Sequence, residues 1–298
     1  MSFLSIGEIN FLNCLPLFSL LKKEFPANSY RYIQGNPAQL NQLLAEGRID
    51  ISPSSSMEYA LRPEHYFILP RISIASMREV RSVLLLSKNP IESLKNTTIA
   101  LTAQSLTSIY LLKIILFHFY QLDRRSIHFI TAEFNADDKL PETALLIGDQ
   151  ALQAFHQTPP GYRIYDLGGL WYRFTNLPFV YALWIGRKEL GDEKLNQINE
   201  LSTRLSLIKK VLPEHLATLL TAVSRRYPDI PAEAILQYWQ EAISYELEIQ
   251  EKQGLILFYN LAHQLGLLEK VPTLNFFPPW QSSHRLISHF SPADKSFE

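Results

Sequence analysis

Two short stretches concentrate side chains able to hold a small anion. Residues 99–116 read IALTAQSLTSIYLLKIIL: a buried strand over 99–101, a loop carrying Thr102, Ser105, Thr107 and Ser108, then an apolar helix from Ile109. Leu112, Leu116 and Phe119 continue that helix at three- and four-residue spacing. A strand, a hydroxyl-rich loop and a helix start together present free backbone N–H groups and the positive end of a helix dipole. The plain alternative is N-capping, in which Thr107 or Ser108 satisfies first-turn donors. Residues 48–59, RIDISPSSSMEY, repeat the device: a strand over 49–52, then Ser54, Ser55 and Ser56, then a helix. Ser55 and Glu58 have capping-box spacing, yet a box uses a single hydroxyl and this loop carries more. Two such loops from separate regions can converge on one anion.

Other polar residues sit where strands give way to helices, the edge at which open α/β sheets collect ligands. Asn10 and Asn13 follow a first strand over 5–9; Asn13 is either a ligand-facing amide or a loop amide holding its own turn. Cys14 has no histidine nearby in sequence and suits buried packing better than nucleophilic attack. Ser82 interrupts the apolar run VRSVLLLS (80–87), as a tolerated small residue or a hydroxyl aimed into a cleft. Asp149 ends the strand TALLIGD (143–149), well placed to cap a helix over 150–155, with a catalytic role as the alternative.

The whole chain bounds what these residues can serve. Its 298 residues suit two domains or one large one, and 28 basic against 29 acidic side chains leave a net charge of −1. Bulk charge therefore points to neither nucleic acid nor an anionic membrane. One cysteine excludes an internal disulfide and a cysteine-based metal site. The N-terminal MSFLSIGEINFLN has no basic start and carries Glu8 and Asn10 within its apolar run, unlike a secretory signal. The most apolar helix, 109–122, is broken by Lys113 and His118 and is too short to span a bilayer. A cytoplasmic protein is the expectation.

The elements that must position the candidates follow a β-α rhythm. A helix over 17–23 follows the first strand; 30–34 is a second strand; Asn36 and Pro37 open a helix that Gly47 closes, leading to the strand at 49–52. Strands are expected at 66–69, 71–76, 80–87, 126–130, 143–148 and 162–167, with an aromatic loop GGLWYRFTNLP and a strand FVYALWI over 179–185. From 188 to 270 the spacing is helical, with Pro213, Pro228 and Pro231 as joints. The pattern predicts a discontinuous first lobe (1–87 and 179–270), a second lobe (88–178) inserted between two crossing strands, and a Pro/aromatic tail (271–298) that wraps the body or docks a partner. A cleft between lobes would be lined by both hydroxyl loops.

Several motifs in this order resemble chorismate dehydratase of the futalosine route to menaquinone. They are FLNCLPL (11–17), NPAQLNQLLAEGRIDISPSSSMEY (36–59), VRSVLLLS (80–87), IALTAQSLTS (99–108), LLIGDQAL (145–152), LPFVYALW (177–184) and GLILFYNLAHQLGL (254–267). The resemblance implies an α/β, two-lobed periplasmic-binding-protein-like (type II) fold with a central ligand cleft. It also implies a cytoplasmic hydro-lyase without metal or cofactor, acting on a small dicarboxylate, chorismate, to give 3-[(1-carboxyvinyl)oxy]benzoate and water. By the same resemblance Asn13 and Ser82 are the catalytic candidates, while Ser55, Ser56, Ser105, Thr107, Ser108 and Asp149 are the substrate-binding candidates. No histidine falls in a matching motif; the substrate's enolpyruvyl carboxylate is one candidate base, and Asp149 is the protein alternative. The chain departs from the pattern at Asn176, where glycine is expected; asparagine tolerates the left-handed backbone. Two rivals are a 1,4-dihydroxy-6-naphthoate synthase-like enzyme and a non-catalytic small-anion-binding protein. The oligomeric state is not implied.

Overall fold

The structure, a computed structural model, describes residues 3–25, 30–102, 105–134 and 140–278. Short apolar runs separated by capped helices build the first sheet from β1 (Leu4–Ile9), α1 (Leu15–Glu24), β2 (Tyr30–Gly35), α2 (Pro37–Ala45) and β3 (Ile51–Ser55), with β1 parallel to both β2 and β3. Helix α2 starts where expected: Gln39 N donates to Asn36 Oδ1 at 2.9 Å, Asn36 N donates to Gln39 Oε1 at 3.1 Å, and Pro37 occupies the first turn. After α3 (Ser56–Leu61) the chain runs through β4 (Tyr66–Ser76), one long strand rather than the two expected, kinked where Arg71 takes φ 62°.

The chain then crosses to a second sheet made of β5 (Val83–Ser87), β6 (Thr97–Thr102), β7 (Ile127–Ala132), β8 (Thr143–Ile147) and β9 (Arg163–Asp166). Its helices are α4 (Leu106–Ile114), prolonged by a π-helical turn Ile115–Phe119, α5 (Gly148–His156) and α6 (Leu167–Thr175). Strand β10 (Phe179–Arg187) returns to the first sheet. The strand orders are β2-β1-β3-β10-β4 and β7-β6-β8-β5-β9. In each, the fourth slot holds an antiparallel strand next to a crossover, β10 beside β3 and β5 beside β8.

This pairing moves the expected crossing point. The sequence pattern places residues 80–87 in the first lobe as one strand, but β5 begins at Val83 and pairs with β8 and β9, so the crossover is 77–82. The Asp166 carboxylate takes the N–H groups of Val80 (3.1 Å) and Arg81 (2.6 Å) away from any ladder, and Arg81 turns to φ 60°. Asp166 also caps α6, accepting from Gly169 N at 2.9 Å. That cap, with wholly buried Trp171, makes a helix of the stretch expected as an aromatic loop. Asn176 ends it at φ 56°, as its tolerance of that conformation predicts.

The C-terminal part is helical: α7 (Asp192–Val223), α8 (Ala232–Gln237), a π-helical turn Tyr238–Ala242 and α9 (Ile249–Gln264). The sequence predicts a joint at Pro213, yet α7 runs on through it. The cost of one missing N–H is outweighed by an unbroken buried stripe of Ile198, Leu201, Leu205, Ile208, Leu212, Leu216, Leu219 and Val223. The start of the tail wraps the body: Ile68 N donates to Asn275 O and Phe277 N to Ile68 O, both at 2.8 Å, along β4. Residues from 279 onward lie outside the described residues.

Candidate functional site

The ends of β1, β3 and β8, the crossover 77–82, the start of α4 and parts of β4 and β10 line one cleft between the sheets, with about 550 Å³ of empty space when the open solvent at its mouth is included. Its polar lining is Asn13, Ser55, Ser82, Ser105, Ser108 and Tyr181; Phe11, Ile74, Val83 and Ile243 are among the apolar groups around them. Among the described residues that line it, none is charged. Among the described residues, the groups that could meet an anion here are hydroxyls, amides and a helix end, not a cation.

The two hydroxyl loops do converge, and they meet each other. Helix α3 has no side-chain cap of its own, so the expected Ser55–Glu58 box does not form; Glu58 accepts instead from Arg62 (2.7 Å) and Tyr66 OH (3.1 Å). The caps are exchanged between lobes: Thr107 N donates to Ser55 Oγ, and Met57 N donates to Thr107 Oγ1, both at 3.2 Å. Ser55 Oγ lies 2.6 Å and Ser56 Oγ 3.2 Å from Thr107 Oγ1, while Ser56 Oγ donates to Val180 O at 3.0 Å. One direction satisfies all three contacts: Ser55 donates to Thr107, Thr107 to Ser56, and Ser56 to Val180. Every hydroxyl proton of this buried seam is then committed within the protein. Ser56 and Thr107 do not line the cleft.

Ser105 behaves differently. It is the cap of α4, accepting from Ser108 N at 3.3 Å, so α4 starts three residues earlier than Ile109 and Ser105 takes the role expected of Thr107 or Ser108. Ser105 Oγ and Ser108 Oγ lie 2.9 Å apart; one hydrogen bond between two hydroxyls leaves one proton to offer the cleft.

Asn13, from the loop after β1, and Ser82, from the crossover, both line the cleft. Asn13 Oδ1 is buried with no hydrogen-bond partner among the described residues, a state that costs about 1–3 kcal/mol unless something fills it. Turning the carboxamide brings its NH2 to the same place, so the group can donate or accept. Ser82 is 2% exposed and sits on the crossover, one residue before β5 rather than inside the strand. Its backbone O accepts from Gly148 N at 2.8 Å, and its Oγ accepts from Tyr238 OH at 2.8 Å. Gly148 takes φ 63°, where a Cβ would come within 3.0 Å of the Phe11 ring, so both backbone and packing require glycine.

Asp149 stands beside the cleft but does not line it. It does not cap its own helix; α5 begins at Gly148, and Asp149 Oδ1 accepts from Leu12 N of the other lobe at 3.0 Å. Burial pushes its carboxyl up to about 6, opposed by the Leu12 N–H, the Tyr227 hydroxyl and Arg226. Asp149 thus fixes the loop that carries Asn13. Cys14 is buried, and burial, with Glu8 and Asp149 nearby, raises its thiol well above the ordinary range, as suits a packing residue. Sequence reasoning missed Asp166 and Tyr238. Asp166 precedes two glycines that hide the helix it caps, and Tyr238 lies 156 residues along the chain from the Ser82 hydroxyl it bonds. Among the described residues no three metal-ligating side chains cluster, and no helix is long and apolar enough to cross a membrane.

Two mixed five-stranded sheets joined by two crossovers around a cleft define a periplasmic-binding-protein-like fold of type II. A crystal structure of an Archaeoglobus fulgidus protein shares it at a TM-score of 0.71 and 16% identity, covering 89% of this chain and 98% of that one. The alkanesulfonate-binding protein of Xanthomonas axonopodis pv. citri bound to MOPS gives a TM-score of 0.67 at 15% identity, with 93% and 96% covered. Within that class the chain belongs to the family described as "Menaquinone biosynthesis", which matches residues 4–264. It is similar to the chorismate dehydratase of Thermus thermophilus, 29% identical over 281 residues, covering 88% of this chain and 95% of that protein. It is also similar to that of Campylobacter jejuni subsp. jejuni, 28% identical with 88% and 98% covered. The 1,4-dihydroxy-6-naphtoate synthase of Thermus thermophilus is more distant, 23% identical with 78% and 83% covered.

Proposed function

We propose that this chain is a chorismate dehydratase, a hydro-lyase that takes one water from chorismate and aromatises its ring to give 3-[(1-carboxyvinyl)oxy]benzoate. The observation that carries the reading is the meeting of Asn13 and Ser82 in one cleft whose described lining carries no charge, in a chain whose curated relatives at 28–29% identity bear that name. The ring carboxylate acidifies the ring proton to be lost, and an elimination through a carbanion builds charge on that carboxylate. Fixed donors at the carboxylate then favour the transition state over the ground state. Ser105, Ser108 and Asn13 supply donors for the carboxylates, and Ser82 faces the departing hydroxyl. Ser55, Ser56 and Thr107 hold the lobes shut around the substrate, and Asp149 fixes the Asn13 loop. The substrate's enolpyruvyl carboxylate takes the ring proton, since no histidine lines the cleft among the described residues and proximity supplies a large effective molarity. As the C–O bond breaks, its electron pair leaves with the hydroxide, which collects that proton and departs as water. No cofactor enters this scheme, and a cytoplasmic location belongs to the same reading.

Purified protein mixed with chorismate should remove the diene absorbance while an aromatic product one water lighter appears by mass spectrometry. Saturable binding of chorismate without product would mark a binding protein and overturn the reading.

A further inference from the structure

The π-helical turn Tyr238–Ala242 and the segment after it send three polar aromatic heads to Ser82 and to the Leu12–Asn13 backbone. Tyr238 OH donates to Ser82 Oγ at 2.8 Å, Trp239 Nε1 to Leu12 O at 2.8 Å, and Tyr245 OH to Asn13 O at 2.6 Å. The last two grip the backbone of the Asn13 loop. The first touches a side chain, so it alone bears on a proton in the cleft. A π-helical turn re-aims side chains out of ordinary helical register and recurs at functional sites.

We propose that Tyr238 is a positioning residue that orients the Ser82 hydroxyl so that its proton is aimed into the cleft. The inference rests on Ser82 acting on the departing hydroxyl. A serine hydroxyl has one proton and two lone pairs. With a lone pair occupied by the Tyr238 proton, its own proton is left to point where the substrate lies. Tyr238 is 1% exposed, and burial raises its phenol far above the ordinary value, so the proton it lends is always present. The backbone bond from Gly148 N to Ser82 O and the φ of 60° at Arg81 hold the Ser82 Cα, which leaves rotation of the hydroxyl as the freedom that Tyr238 removes. A donor already aimed stabilises charge on the departing oxygen without reorganising at the moment of reaction.

The test is a double-mutant cycle of Tyr238→Phe and Ser82→Ala, with kcat and KM for chorismate. Tyr238→Phe should lower kcat by roughly 10- to 100-fold, less than loss of a direct donor, with KM within about twofold because ground-state contacts remain. In the Ser82→Ala background the same change should leave kcat unaltered. If Tyr238→Phe multiplies the loss equally in both backgrounds, its role is structural and the proposal falls. If Ser82→Ala itself keeps full kcat, the reading of Ser82 falls instead. Should Tyr238→Phe fail to fold, 3-fluorotyrosine at position 238 keeps the shape and strengthens the donor. It should raise kcat at unchanged KM; an unchanged or lower kcat overturns the proposal.

Discussion

The Ser55–Ser56–Thr107 seam and the Asn13–Ser82 edge of the cleft lie side by side, use the same small polar residues, and end in opposite states. In the seam each hydroxyl proton has a partner inside the protein, and each lobe caps the other's helix. At the edge an amide oxygen is buried without a partner among the described residues, and a hydroxyl that already accepts from tyrosine has its own proton to give. A saturated polar cluster rigidifies and specifies one closed arrangement; an unsaturated one holds binding and catalytic capacity in reserve. The seam should therefore act on closure and the edge on chemistry.

The sharpest way to break that division is at the edge. Asn13→Ala and Ser82→Ala should each lower kcat about 10²- to 10³-fold, or roughly 3–4 kcal/mol of transition-state stabilisation, with small changes in melting temperature. Steady-state kinetics beside thermal unfolding separates the two effects. At the seam, Thr107→Val keeps the shape and strands Met57 N and the Ser55 hydroxyl, costing roughly 2–3 kcal/mol. KM should rise more than kcat falls, because closure is weakened. A Thr107 variant that loses kcat at unchanged KM and melting temperature would merge the two regions into one.

Asp149 holds the Asn13 loop of the edge to the opposite lobe, and its titration sharpens the contrast. Its carboxyl is raised from 3.8 to about 6 by burial. Below pH 4 it is protonated whether the chain is folded or not. Between pH 4 and 6 the unfolded chain gives up the proton first, so the stability due to this group is lost as pH rises through 6. Asp149→Asn lacks that step. The variant should therefore gain on the wild type between pH 4 and 7, by about 1–2 kcal/mol after allowance for partial exposure of the carboxyl. Denaturant melts at several pH values measure the gap, and a constant gap would show Asp149 to be ionised throughout. The smallest effect concerns salt: a dianion held by neutral donors should show a KM that changes less than about threefold between 50 and 500 mM NaCl. A steep rise would place a cation in the site.

Much of the scaffold was legible because its signals are local. Asn36 and Gln39 cap a helix whatever the rest of the chain does, and Asn176 accepts a left-handed backbone on its own account. The hydroxyl loops and their convergence were legible too. Their internal saturation was not, since whether Thr107 faces an anion or Ser55 depends on the closeness of two lobes that no local pattern encodes. The helix α6 was hidden by Gly168 and Gly169, which lower propensity but let the chain pack tightly; a Cβ at Gly168 would sit 2.6 Å from Arg78 O. Pro213 misled in the opposite sense, because buried packing over all of α7 outweighs one lost bond. Ser82 was visible as an interruption of an apolar run, but Asp166, which pulls it out of the strand, lies far along the chain.

The most direct test is a crystal structure of the Ser82→Ala variant holding chorismate. The account predicts the leaving hydroxyl at position 82, a carboxylate against Ser105 and Ser108, and the Ser55–Thr107 bond intact. A carboxylate lodged between Ser55 and Thr107, with that bond broken and Asn13 still without a partner, would contradict it.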